Sequence, residues 1–257
     1  MSIEVVFFDI DGTLIDVNKR TASKTVEAIN QLKENGTKVV IATGRSPRHI
    51  VDIQKMFNID SFVCFNGSIG VNEGASIFHH ALNHAHLTDL VKDTDANAHP
   101  MAFLNNLGSY TNAENDDRIK VTFDHLKEEM PEYRPTVWEE EPIIQSFLYC
   151  SPDEQKFYEE SHPELKFTRW HKYAMDVNNC DMNKSVGIRS YLEYLDIDPK
   201  NAAAFGDNLN DLEMLSYVGY GVAMGNAIDA AKEKADFVTK SLHDNGIYYG
   251  LKHLELI

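Results

Sequence analysis

Residues 4–8 read Glu-Val-Val-Phe-Phe and run straight into Asp9-Ile10-Asp11-Gly12. A short block of β-branched and aromatic side chains without polar alternation marks a strand covered on both faces. A strand of that kind needs helices on each side of its sheet, which directs the chain toward a layered α/β fold. It also delivers two carboxylates to the end of a buried element. A charge there is costly unless it is paired, hydrogen-bonded or bound to metal. The rest of the sequence must answer both demands.

A helix is expected over residues 22–35, with Val26, Ile29 and Leu32 at helical spacing and Gly36 as its stop. Thr-Lys-Val-Val-Ile-Ala-Thr43-Gly44-Arg45 reads as a second buried strand. Ser46-Pro47 then supplies an N-cap and a first-turn proline for a helix to Phe57, and Ser-Phe-Val-Cys-Phe-Asn66-Gly is a third strand. Strand, helix, strand, helix, strand is a right-handed parallel unit. Between residues 82 and 180 the apolar signal weakens and polar loops interrupt it. Helices are expected near 86–97, 116–128 and 153–161, and strands near 101–111, 143–150 and 165–178, which makes an α+β module. After Asn183 the first style returns, with helices over 184–195, 209–216 and 227–234 alternating with Ala-Ala-Ala-Phe-Gly, Gly-Tyr-Gly-Val-Ala-Met and Asp-Phe-Val-Thr. The organisation expected is a Rossmann-like parallel sheet core of residues 1–81 and 183–257, with an α+β domain of residues 82–182 inserted into it.

Forty acidic residues against 24 basic give a formal net charge of -16, which repels nucleic acid and anionic membranes. A phosphate-bearing ligand would need locally placed cations or a metal. No apolar stretch approaches the length of a membrane span. The first residues carry early acidic groups and no basic leader, so no signal peptide is expected. Cys64, Cys150 and Cys180 form no Cys-x-x-Cys pair and suit a reducing compartment. A cytoplasmic monomer acting on a small molecule is the expectation.

Open parallel sheets place their ligand sites beyond the carboxyl ends of the strands, where Asp9 and Asp11 fall. Extended geometry would point residues i and i+2 the same way, so both carboxylates could face one site. Gly12 permits a tight turn, and Thr13 can hydrogen-bond a neighbouring carboxylate. A second acidic cluster ends another buried strand, with Asp207 followed by Asn210 and Asp211 at a helix start. Two carboxylate clusters at strand ends suggest a Mg²⁺ site, since magnesium takes a few hard oxygen ligands with water and phosphate. Thr43, Gly44, Arg45 and Lys184 offer the hydroxyl, N–H groups and cations that phosphoryl oxygens require.

Asp-Ile-Asp-Gly-Thr-Leu, Ala-Thr-Gly-Arg, Lys184 and Gly-Asp-Asn-Leu-Asn-Asp, in this order, resemble the four motifs of the haloacid dehalogenase superfamily. Phe-Asn-Gly-Ser, Gly-Val-Ala-Met-Gly-Asn-Ala and Asp-Asn-Gly-Ile-Tyr-Tyr-Gly-Leu resemble its Cof-like sugar-phosphatase branch, whose large cap is inserted between the second and third motifs. The resemblance implies a Mg²⁺-dependent phosphatase for small monoesters such as sugar phosphates or pyridoxal phosphate. Asp9 would be the nucleophile, forming an aspartyl phosphate, and Asp11 the general acid and base. Asp9, the main-chain carbonyl of Asp11 and Asp207 would hold the metal. Thr43 and Lys184 would bind phosphoryl oxygens; Gly12, Gly44, Arg45, Asn66 and Asn210 would lie near the substrate. Asp211 would act behind the metal ligands. Where the family often has Lys-Gly, this chain reads Lys184-Ser185-Val186-Gly187. A phosphomutase and a non-catalytic phosphate-binding regulator are the alternatives; intact Asp9 and Asp11 weigh against the regulator.

Other features carry less. His79, His80, His84 and His86 have irregular spacing and no accompanying cysteines, so they read as linker residues. Gly-Tyr-Gly-Val-Ala-Met-Gly lacks dinucleotide spacing. Arg169-Trp170-His171 could grip and stack on a ligand, although packing is the commoner use of such residues.

Overall fold

Val5–Phe8 is buried at every residue and lies in the middle of an eight-stranded sheet. The computed structural model describes residues 3–126 and 128–257 of the chain. Ala202–Gly206 flanks the central strand on one side and Lys38–Ala42 on the other, both parallel, with Val5 in register with Ala202 and Lys38. Outward on the first side lie Tyr220–Ala223 and Phe237–Val238. Outward on the second lies Phe62–Cys64, and then the hairpin Ile69–Asn72 and Ala75–His79 closes the edge antiparallel. Three consecutive alanines beside Val5–Phe8 keep this interior narrow. Phe8 stacks on Phe205 with centroids 5.0 Å apart, and Phe7 meets Tyr191 of a covering helix edge-on at 5.6 Å.

The chain forms two units: one runs up to His79 and resumes from Asn183 to Ile257, and the other is His80–Met182. In the first unit the expected helices appear as Thr25–Glu34, Val51–Phe57, Lys184–Leu195, Leu212–Tyr217 and Asp229–Lys234. Several details differ from expectation. Pro47–Ile50 is a 3₁₀ turn ahead of the second helix, and the Ser46 hydroxyl meets His49 Nδ1 at 3.1 Å instead of capping the main chain. A final helix, Gly246–His253, packs against Thr25–Glu34 and has no counterpart in the periodicity reading. The turn that closes the edge hairpin, Glu73-Gly74, is likewise new, with both residues at positive φ.

The second unit has a six-stranded sheet in the order Leu165–Arg169, Ala174–Asn179, Gln145–Tyr149, Met101–Leu104, Ser109–Thr111, Glu132–Tyr133. All neighbours are antiparallel except the last pair. Helices His84–Ala96 and Pro152–Ser161 cover one face, where Leu87, Leu90 and Tyr158 meet Phe103, Leu148 and Met175. Strand alternation puts Gln145, Phe147, Asp176 and Asn178 on the other face. There the helix Asp117–Leu126 brings Phe123 to Phe147 at 6.1 Å and the Thr122 hydroxyl to the Tyr149 hydroxyl at 3.3 Å. The helix expected over 116–128 includes Lys127, which lies outside the described residues. Among the described residues no helix is long and apolar enough to cross a membrane.

Two consequences follow from this packing. A Cβ at Gly187 would sit 2.5 Å from Gly67 Cα, so the Lys184 helix approaches the Phe65–Gly67 turn through bare backbone. Gly187→Ala should lower stability by about 1–3 kcal/mol, the usual range for overpacking, measured as a fall in Tm. A melt matching the parent would refute the tight contact. In the other unit, burial pushes the Asp176 carboxyl up to about 7, with Gln145 and Trp170 opposing. A folded pKa above the unfolded one gives stability that is complete below the unfolded pKa and lost as pH rises through the folded one. Urea unfolding should therefore show a loss between about pH 4 and pH 7 that Asp176→Asn removes; identical pH profiles would contradict it.

Candidate active site

Three adjacent parallel strands end together, and each presents a polar residue just past its last position. Asp9 follows Val5–Phe8, Thr43 follows Lys38–Ala42, and Asp207 follows Ala202–Gly206. Chain order reverses between the first and the third of these strands, which opens a crevice at their carboxyl ends. Lys184 enters from the first turn of its helix. Asn183 caps that helix, its Oδ1 accepting from the N–H groups of Ser185 at 2.9 Å and Val186 at 3.2 Å.

Lys184 is fully buried, and its ammonium donates to Asp9 Oδ1 at 2.5 Å and to Asp211 Oδ1 at 2.6 Å. Asp211, also without exposure, accepts on its other oxygen from the N–H groups of Asp207 at 2.8 Å and Asn208 at 3.0 Å. Both its oxygens are thus engaged, and it braces the lysine and the Asp207 turn together. Asp207 accepts from the Thr13 hydroxyl at 3.1 Å, so the threonine serves a carboxylate 194 residues away and not the one beside it in sequence. Gly12 has φ +87, and a Cβ there would lie 2.2 Å from Asp207 Oδ2. Only glycine lets the first loop close over that carboxylate.

Asp9 and Asp11 part company. The loop after Asp9 turns tightly, with the N–H groups of Leu14 and Ile15 both reaching Ile10 O. Extended geometry is lost, so Asp9 is 5% exposed while the Asp11 side chain keeps 56% of its surface. Arg45 grips Asp11 with two nitrogens, Nε at 2.8 Å and Nη2 at 2.6 Å. The Arg45 N–H also donates to Thr43 Oγ1 at 3.2 Å. Asn66, at φ 51, stands so close to Gly44 that a Cβ there would meet its Oδ1 at 2.9 Å, and Asn210 Nδ2 donates to the same oxygen at 3.2 Å.

One residue escaped the sequence reading. Asn226 donates from Nδ2 to Gly12 O at 2.8 Å and accepts from Leu242 N–H at 2.8 Å, tying the Asp11-Gly12 loop to the far edge of the sheet. It lies just past the end of the parallel strand Tyr220–Ala223, and that position was its signal. The other candidates lead away from ligands. Arg169 donates to Gln155 Oε1, Cys150 O and Ser151 O, so its guanidinium staples main chain. No histidine belongs to a metal-competent group among the described residues.

Carboxylate oxygens of Asp9, Asp207 and Asp211 all lie within 4.8 Å of one another. Burial raises the Asp9 pKa and the charges of Asp211 and Asp207 add to this, against the pull of Lys184. Burial likewise pushes Asp207 up to about 6, with Asp211 adding to it. Burial alone would lower Lys184, but Asp9 and Asp211 more than reverse that and keep it protonated. Three carboxylates against one ammonium leave a surplus of negative charge on hard oxygen donors, the setting that suits a small divalent cation.

The family of haloacid dehalogenase-like hydrolases matches residues 6–251. The chain is 37% identical over 257 residues to YkrA of Bacillus subtilis (strain 168), covering 100% of both. It aligns with the crystal structure of a Geobacillus kaustophilus HTA426 protein at TM-score 0.92 and 42% identity, covering 99% of each chain. With the HAD subclass IIB sugar phosphatase BT4131 the TM-score is 0.81 at 27% identity, over 99% of this chain and 100% of that one. The chain belongs to the haloacid dehalogenase-like hydrolases, and among them to the phosphatases.

Asp211→Asn tests the brace. An amide cannot accept from both Lys184 and the two N–H groups, so one buried donor loses its partner whichever way the amide turns. Breaking a buried pair costs about 3–5 kcal/mol, and denaturant unfolding should register a loss of that order. A change below about 1 kcal/mol would show that Lys184 does not depend on it.

Proposed function

We propose that this chain hydrolyses small phosphate monoesters by way of an aspartyl phosphate on Asp9. The observation that carries the reading is the buried Lys184 ammonium bonded to Asp9 at the carboxyl end of the central strand. A lysine without exposure, set beside the carboxylate that would attack, offers fixed positive charge where a phosphoryl group must lose its repulsion for an anion.

One oxygen of Asp9 attacks phosphorus and the bond to the ester oxygen breaks; the leaving alcohol takes a proton from Asp11. A water then attacks the same phosphorus, Asp11 takes its proton, and Asp9 is released as the carboxylate with inorganic phosphate. Arg45 sets the direction of the Asp11 carboxyl through its two-nitrogen grip. The Thr43 hydroxyl accepts from Arg45 N–H, which leaves its own hydrogen for a phosphoryl oxygen. Asp9 and Asp207 are the oxygen donors fitted to Mg²⁺, since both oxygens of Asp211 are engaged elsewhere. When bound, the ion would neutralise charge on the phosphoryl oxygens. Sugar phosphates, pyridoxal phosphate and similar metabolites are the substrate classes proposed.

Hydrolysis of p-nitrophenyl phosphate should fall by at least about 10³-fold in Asp9→Asn, in line with losses seen when a covalent nucleophile is removed. It should also stop on chelation and return with Mg²⁺. Full activity in Asp9→Asn would sink the nucleophile assignment, and activity indifferent to chelation would sink the metal. Accumulation of an isomerised sugar phosphate in place of inorganic phosphate would favour a mutase.

A further inference from the structure

A cavity in the second unit has no part in the chemistry above. It opens beside the start of helix His84–Ala96 and has a volume of about 320 Å³. That falls at the lower end of small-molecule pockets, which run from roughly 300 to 1,000 Å³. Leu82, Leu87 and Ile143, none more than 5% exposed, give it an apolar wall. Trp138 joins them, partly buried, with the His84 ring tilted against it at a centroid distance of 5.9 Å. The Trp138 indole N–H donates to Pro135 O at 3.1 Å, so the tryptophan brings to the cavity its ring and not its donor.

The other wall is charged. Glu139, Glu140 and Glu141 follow the tryptophan directly, and all three line the cavity. Glu140 accepts from Arg134 Nη2 at 2.9 Å and from the Thr136 hydroxyl at 3.2 Å. Glu141 accepts from Arg134 Nη1 at 2.9 Å and from Asn105 Nδ2 at 2.8 Å. One guanidinium thus serves two carboxylates, and exposed Glu139 has no ion pair among the described residues.

This chemistry narrows the occupant. An anion meets a surplus of negative charge, and the donors at the nearby helix start are already engaged. Asn83 Oδ1 takes the N–H groups of Ala85 at 3.0 Å and His86 at 3.3 Å. A cation is drawn both by the carboxylates and by the electron-rich face of an indole ring. The leucine and isoleucine wall demands an apolar body on the same molecule.

We propose that this cavity binds a small organic cation, a primary amine carried on a short apolar chain. The chain would lie against Leu82, Leu87 and Ile143, with the ammonium between Trp138 and Glu139. The site is independent of the phosphatase reading.

Saturation-transfer NMR on the full chain at neutral pH compares three ligands of equal length: hexylammonium, hexanol and hexanoate. Hexylammonium should bind saturably with Kd of roughly 1–10 mM, at least about fivefold tighter than hexanol, and hexanoate should not bind. Glu139→Lys and Trp138→Leu, checked for folding by circular dichroism, should each weaken hexylammonium binding by about fivefold or more. Glu139 is exposed, so its variant keeps the test sound even if Trp138→Leu does not fold. No saturable hexylammonium signal up to roughly 50 mM would overturn the proposal. So would equal affinity for hexanol, which marks a plain apolar cleft, or a folded Glu139→Lys that binds like the parent. The readout is binding of an amine, so its failure leaves the phosphatase reading standing, and loss of that reading through Asp9→Asn leaves this result intact.

Discussion

A lysine ammonium with no access to water, bonded to two carboxylates from opposite ends of the sequence, governs the first unit. Isolated, such a charge would shed its proton. Here Asp9 arrives on the central strand and Asp211 on the turn after Ala202–Gly206, and together they hold Lys184 charged. Each partner depends on further contacts. Asp211 is fixed by two main-chain N–H groups, Lys184 by the Asn183 cap, and the Lys184 helix by the bare contact of Gly187 with Gly67. The reactive end of the sheet is therefore assembled only when residues from 9 to 211 are all in place.

Burial then separates two carboxylates that look equivalent in sequence. Asp9 is enclosed beside a fixed cation, while Asp11 stays accessible and is steered by Arg45. In the reaction proposed above, the enclosed Asp9 beside its permanent counter-charge would attack, and the accessible Asp11 would exchange protons with an alcohol and then with water. The tight turn around Ile10 O makes the division, and Gly12 with Asn226 keeps the turn closed.

Much of this was legible in the residues. The buried run at Val5–Phe8 and the alternating strands and helices of the first unit show in apolar periodicity, because burial on two faces leaves few choices of side chain. The Lys184–Leu195 helix and the Ala202–Gly206 strand were read to the residue. Weaker signals failed where local pattern was not in control. Gly246–His253 packs against Thr25–Glu34, and its eight residues are too few to form a stable helix without such a partner. The Ser46 hydroxyl turned to His49 because a 3₁₀ turn moved the N–H groups it was expected to cap. Asn226 was passed over since its partners, Gly12 and Leu242, are distant in sequence and close only in the folded sheet.

The sequence by itself determined which chemical groups stand at strand ends, because strand runs and their terminating aspartates are local features of the chain. Tertiary structure alone decided which of them meet. Thr13 serves Asp207, Asp211 serves Lys184, and Asp9 and Asp11 face different surroundings, each through contacts that span up to 194 residues. The placing of Gln145 opposite Asn178 belongs to the same class, since strand register sets them side by side and nothing in their local sequence does. Side-chain chemistry is written along the chain, whereas solvent exclusion and pairing arise only when distant segments close on one another.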